Sequence, residues 1–367
     1  MKFKKRYLFA LLALIIGIAL TAATYFAVGI YQKDNIAVIT DAKIADRLVE
    51  KNKDVYNNQD ETREQTIHVK VLDGPYKGKT FVEKNVYYPS QLVTQKYRAG
   101  DRIFVSIKKG KLALGNPKRD WVLVLVVTIT IALMIALVGR HTIALVVSMA
   151  LSWVIFYGVI LLDVKLNGAY IILLFGAADI IFSFISLLIV QGLNKKMLVT
   201  WLATILGIFV SFLLCYIIMK LTGETEMQYE TGDYATQDPR GIFLAQTLLG
   251  VLGAVMDEAT DIVSSLYEVI KVKKDITPKE LINSGRNMGQ EIMGPLINVL
   301  LLIFIAEALP MTILYLRDNN SLSSAFGFTL SLGATQTVIS AISIVITVVF
   351  ATGCSLLLLR DQRGGKL

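Results

Sequence analysis

Apolar runs dominate the chain, and one polar stretch separates the first of them from the rest. Runs long enough to span lie at about 7–30, 121–139, 142–162, 168–193, 197–221, 241–260, 291–315 and 328–358. A helix needs about 20 apolar residues to cross ~30 Å of hydrocarbon, so each run reads as a membrane span. The first is too long for the apolar part of a typical cleavable leader and reads as an uncleaved anchor. The expected fold is an α-helical polytopic membrane protein of about eight transmembrane helices.

The polar stretch changes rhythm. Short alternating or β-branched runs recur at 36–44, 66–72, 79–86, 102–107 and 111–114, separated by turn residues at Asp73-Gly74-Pro75, Gly100-Asp101 and Lys109-Gly110. Five short strands in so little chain predict a small all-β domain, an OB-like barrel. The division expected is a basic tail and anchor over 1–31, an extracytoplasmic barrel-like domain over 32–119, and a seven-helix membrane domain over 120–367.

Charge then orients the spans. Lys2, Lys4, Lys5, Arg6, Arg140, Lys195, Lys196, Lys271, Lys273, Lys274, Arg360, Arg363 and Lys366 all fall on one side of an eight-span topology. Glu224, Glu226, Glu230, Asp233 and Asp238 fall on the other. The positive-inside rule places both termini in the cytoplasm, as expected for a multi-pass protein of a bacterial plasma membrane. The net charge of +8 thus belongs to the bilayer rather than to nucleic acid, in a chain 54% hydrophobic with mean hydropathy +0.58. Two cysteines, Cys215 and Cys354, and two histidines, His68 and His141, give no disulfide framework, thiolate metal cluster or His-based triad. No GxSxG elbow, phosphate-binding loop, HExxH or GxGxxG motif occurs, so no enzyme is expected.

Candidate chemistry centres on residues 250–271, GVLGAVMDEATDIVSSLYEVIK. On a helix, Asp257, Asp261, Ser264/Ser265 and Glu268 share one stripe, with Ile262, Leu266 and Val269/Ile270 opposite. Two readings stay open: the helix leaves the membrane near Asp257 as an amphipathic surface helix, or the acids line an interior polar site. Asp179 lies mid-span beside Gly176, Ala177, Ala178 and Ser183, where small residues admit a close helix. Thr277-Pro278-Lys279-Glu280 is a capping box that starts a short helix over 278–284, closed by Gly285. Arg286 is then the cation for Asp257 or Asp261, unless Lys271, Lys273 and Lys274 neutralise them. Gly294-Pro295 marks an expected helix break, with Asn298 one turn on. Asp257, Asp261 and Glu291, helped by Ser264 or Asn298, are candidates for a Na⁺ or Mg²⁺ site or for a proton relay.

Two motifs in order, GAVMDEATDIVSSLYEV and ELINSGRNMGQEIMGPLINVLLLIFIAEALP, resemble the YibE/F-like membrane proteins, and TIHVKVLDGPYKGKT at 66–80 does so more loosely. By that resemblance Asp257 matches the acid of the first motif, and Arg286, Met293 and Gly294 match the second. The longer members share this layout of anchor, extracytoplasmic domain and helical region. The resemblance also implies a shorter family member as a hetero-oligomeric partner. Glu258, Asp261 and Gln290-Glu291 depart from the pattern. The expected function is transport of a small solute or ion by intramembrane carboxylates, with H⁺ or Na⁺ as coupling ion. The alternative is a membrane scaffold whose external domain docks an envelope partner.

Overall fold

A computed structural model describes residues 2–28, 35–53, 59–90, 94–108, 110–139, 141–223, 227, 229 and 238–362. Arg140, Lys109, Glu224, Glu226, Glu230, Asp233, Arg363 and Lys366 lie outside them. Two compact units divide the chain, residues 1–142 and 143–367, so the second apolar span groups with the first rather than with the later ones.

The first unit holds α1 (Lys2–Phe26), six strands and α2 (Asp120–Leu137). α1 and α2 pack antiparallel. The Arg6 guanidinium donates to Ala136 O at 2.9 Å and also to Leu137 O, while at the other end Lys118 Nζ donates to Thr24 O. Midway, Gly17 faces Thr128 with no room for a side chain between them. Tyr25 meets Trp121 edge to face at 5.9 Å, and Arg102 donates to Tyr25 O at 2.7 Å while lying over the Tyr25 ring. Those aromatic and cationic contacts tie the sheet to one end of the helix pair, as interfacial aromatics do at a membrane surface.

The strands are β1 (Asn35–Ile39), β2 (Ala45–Lys53), β3 (Gln59–Val71), β4 (Thr80–Tyr87), β5 (Arg102–Lys108) and β6 (Lys111–Pro117). All pairings are antiparallel, with β1 between β3 and β5 (Ala37 opposite both Val71 and Ile103) and β4 on the far edge of β3. Ile67, Val69 and Val71 turn inward while His68 and Lys70 face out, and the core closes on Ala37, Ile39, Ile103, Val105 and Leu112. The sheet curls but does not close into a barrel. Among the described residues β4 and β6 exchange no backbone hydrogen bond. The 94–97 segment fills the seam instead: Tyr97 N donates to Gln65 Oε1 at 3.0 Å, Tyr97 Oη to Gly115 O at 2.8 Å, and Asn85 Nδ2 to Gln95 O at 2.9 Å.

One strand exceeds the five expected, because the run expected over 36–44 ends at Ile39 and β2 begins at Ala45. β2 and the first half of β3 form a ribbon of charged residues, and a strand with no apolar face carries no alternation to read. Cross-strand charge supports it. Asp46 accepts from Arg63 at 3.0 Å, Tyr87 at 2.7 Å and Lys96 at 2.8 Å. Burial pushes the Asp46 carboxyl up, but the hydrogen bonds from Lys96, Tyr87 and Arg63 outweigh it and lower its pKa from 3.8 to about 2.

The second unit holds α3 (His141–Lys165), α4 (Ile171–Gln191), α5 (Lys195–Thr222), α6 (Pro239–Val272), α7 (Pro278–Arg317), α8 (Leu322–Ala325) and α9 (Ser331–Gln362), a π-helical turn over Phe326–Leu330 joining the last two. With α1 and α2, the described residues hold eight apolar segments long enough to cross a membrane, the last running from Leu322 to Leu358. α5, α6 and α9 are the inner helices. Gly207 of α5 lies against Thr347 of α9 and Val255 of α6, and Ser211 donates to Ser343 Oγ at 2.6 Å. Without apolar solvent to expel, helices in lipid depend on such close small-residue packing.

Two expectations for α7 are corrected. The capping box forms as read: Glu280 N donates to Thr277 Oγ1 at 3.2 Å and Thr277 N to Glu280 Oε2 at 2.8 Å. The helix does not stop at Gly285, however. Gly285 and Gly289 face Thr352 and Val348 of α9, so the glycine is a packing contact rather than a terminator. Nor does Gly294-Pro295 break the helix, which continues through Pro295 and Pro310 to Arg317. In lipid an uninterrupted helix is the cheapest way to satisfy the neighbouring backbone groups, and one missing N–H is tolerated. The irregularity sits instead in the π-helical turn, where Thr329 Oγ1 and Thr312 Oγ1 are 2.8 Å apart.

Gly207→Val forces a side chain between α5, α6 and α9. It is expected to cost about 1–3 kcal/mol, read as a lower unfolding temperature in detergent. Asp46→Asn is expected to speed amide exchange in β2 and β3 at neutral pH. The depressed pKa makes this carboxylate stabilising above its unfolded value of 3.8, so the difference should shrink as pH falls from about 4 toward about 2.

Candidate functional site

α6 separates two kinds of acid. Ile262, Leu266 and Ile270 are buried in a cluster with Val199 of α5, Leu281 of α7 and Val348 of α9, and the opposite stripe of Asp257, Asp261, Ser265 and Glu268 is exposed, with Ser264 half-buried. The amphipathic division expected for this segment is therefore present. The helix does not end near residue 260 but runs on to Val272. Glu258 lies on the inner side of that division, one turn from Val255, and is 0% exposed, with neither oxygen hydrogen-bonded among the described residues.

Asp179 on α4 is placed the same way. It is 0% exposed, and neither carboxylate oxygen has a hydrogen-bond partner among the described residues. Ser183, one turn on, is fully buried and donates to Asp179 O at 2.7 Å. Gly176 leaves space that Phe209 of α5 approaches, and Trp201 Nε1 donates to Ile180 O.

Depth along α6 follows from its contacts with α4. Gly241 lies against Ile171 near the start of both helices, and further along Phe182 and Ser186 of α4 line one groove with Leu249, Gly253 and Met256 of α6. The two helices therefore run parallel. Asp257 stands level with Leu187, inside the apolar length of α4, and Asp261 stands level with Gln191 at its end. Asp179 stands about 12 Å further along the axis from Asp257, taking 1.5 Å of rise per residue.

Hydroxyls are buried on two further helices of this unit. Thr200, Thr204 and Ser211 form one buried stripe on α5, and Ser340, Ser343, Thr347 and Ser355 another on α9. Most give their proton to their own helix, as Thr204 does to Thr200 O (2.9 Å) and Thr347 to Ser343 O (2.7 Å). Their oxygens are left as acceptors within the bundle. A separate groove of about 420 Å³ between α3, α4 and α6 is mostly apolar, lined by Met149, Trp153, Phe156, Phe182 and Met256.

The remaining candidates sit on the outside of the unit. Arg286, Glu291, Gly294, Pro295 and Asn298 are all exposed on α7. Among the described residues Arg286 forms no ion pair with Asp257 or Asp261. The lysines do not neutralise those acids either: Lys271 pairs with Glu268 at 3.2 Å and Lys273 with Glu280 at 2.8 Å. No three His, Cys, Asp or Glu side chains among the described residues gather closely enough to hold a metal ion, so Asp257, Asp261 and Glu291 form no ligand shell within one chain. Glu258 is the residue that sequence reasoning passed over. Its signal was available, since it falls on the same side as Val255 and Ile262 while its neighbours Asp257 and Asp261 point away.

A bundle of long apolar helices that buries two unpartnered carboxylates defines a multi-pass integral membrane protein with an extramembrane β domain. The profile of the YibE/F-like protein family matches residues 126–361, and that of the YibE/F family N-terminal domain matches residues 29–116. The chain belongs to the YibE/F-like family. No match was found among curated proteins or among solved structures.

Proposed function

We propose that the protein carries a proton or a monovalent cation, alone or with a small solute, across a bacterial plasma membrane. Glu258 and Asp179 are the groups that take up and release charge. The observation supporting this is that both carboxylates are fully buried and, among the described residues, without a partner in the helical bundle. An uncompensated carboxylate there is too costly to persist, so each must hold a proton or a cation. The acceptor hydroxyls of α5 and α9 suit either, because they solvate positive charge without adding a fixed negative one. Asp257 and Asp261, at the cytoplasmic end of α6 in the expected topology, form a polar surface outside that buried pair. Glu291 and Asn298 extend that polar surface along α7. The β domain then stands on the extracytoplasmic side.

The second reading, a membrane scaffold, is favoured by the charged β2–β3 ribbon, whose exposed Leu48 and Val49 offer a partner a small apolar contact.

The test is ion flux in proteoliposomes under imposed pH, Na⁺ or K⁺ gradients, followed with a trapped pH dye and by isotope uptake. The wild type should dissipate at least one gradient. Glu258→Gln and Asp179→Asn should each slow this by about tenfold or more, about 1.4 kcal/mol or more in barrier, with normal insertion. Unchanged flux in both variants, or none in the wild type, would favour the scaffold.

A further inference from the structure

The exposed stripe of α6 extends beyond its acids. Gly253, Asp257 and Asp261 recur at four-residue spacing, Glu268 lies two turns further on, and all four are exposed in the isolated chain. Asp257 lies level with Leu187, within the apolar length of α4, so this stripe cannot be left to lipid. Gly253 lies on the rim of the groove between α3, α4 and α6, and a side chain there would meet nothing within 4 Å, as is also true of Gly294 on α7 and of Gly158 and Gly353. Glycine on the outer face of a membrane helix is where another helix approaches closely.

The same unit carries the matching charge. Arg286 is exposed on α7 and, among the described residues, forms no ion pair. The α6–α7 turn is short, with α6 ending at Val272 and α7 starting at Pro278. Counting back along both helices from that turn brings Arg286 to the depth of Ser264, within one turn of Asp261. A guanidinium on a long arm spans that interval. Acids and cation stand at matching depth on one chain yet do not meet within it. A two-fold operation along the membrane normal keeps depth and brings the acid face of each copy to the cation of the other.

We propose that the chain forms a two-fold homodimer through the exposed faces of α6 and α7. Arg286 of each copy pairs with Asp261 of the other, and Gly253 and Gly294 let the helices close. Asp257 is thereby removed from lipid. This interface is independent of what the protein carries.

Cysteine cross-linking in native membranes tests it, in full-length protein with Cys215→Ser and Cys354→Ser. Gly253→Cys should give a disulfide-linked dimer under mild oxidation. Leu173→Cys, on an exposed face of α4, should not. Asp261→Arg should lower the dimer yield of Gly253→Cys about tenfold, and adding Arg286→Asp should restore it, which a folding defect would not do. Three results would overturn the proposal: equal dimer from Gly253→Cys and Leu173→Cys, no rescue by the double swap, or adducts containing a different protein such as a shorter family member.

Discussion

Hydrocarbon tolerates a carboxylate only when a proton, a cation or a polar partner compensates it. That constraint orders the acids of this protein. Glu268 and Glu280, near the α6–α7 turn, meet lysines. Asp179 and Glu258 are sealed in the bundle with no partner. Asp257 and Asp261 lie between these cases, at membrane depth or its edge and facing outward. The first group needs no further explanation. The second calls for an exchangeable charge, and the third calls for a second surface.

The small residues serve the same economy. Gly207, Gly285 and Gly289 let α5 and α7 lie close on α9, and the buried serines and threonines spend their protons within their own helices. The bundle is therefore held by close packing rather than by polar cross-links, with Ser211–Ser343 an exception. A core of this kind can house a carboxyl group without trapping it in a salt bridge.

Spans, strand-rich domain and the polar stripe on α6 were legible because each rests on a periodicity that one chain segment carries alone. The β2–β3 ribbon was not, since charged residues on both faces leave no alternation and its support comes from Asp46, Arg63 and Lys96 across strands. Gly285 and Pro295 looked like stops because their usual local meaning is turn or break. Their role here is set by α9 and by the lipid, which no local pattern encodes. Glu258 was overlooked for a related reason: attention went to the stripe that Asp257 and Asp261 share, while the single acid on the opposite side is the one buried. Even so, the direction of Asp257 and Asp261, away from Ile262 and Leu266, followed from spacing alone.

The central claim is that Asp179 and Glu258 hold an exchangeable proton or cation inside the bundle. Hydrophobic carbodiimides attack protonated carboxyl groups in apolar surroundings, so labelling of the full-length protein in membranes, mapped by mass spectrometry, tests this directly. The account predicts adducts at Asp179 or Glu258 that diminish as pH rises or as Na⁺ is added. No adduct at either residue under any condition, or labelling indifferent to both pH and Na⁺, would contradict it.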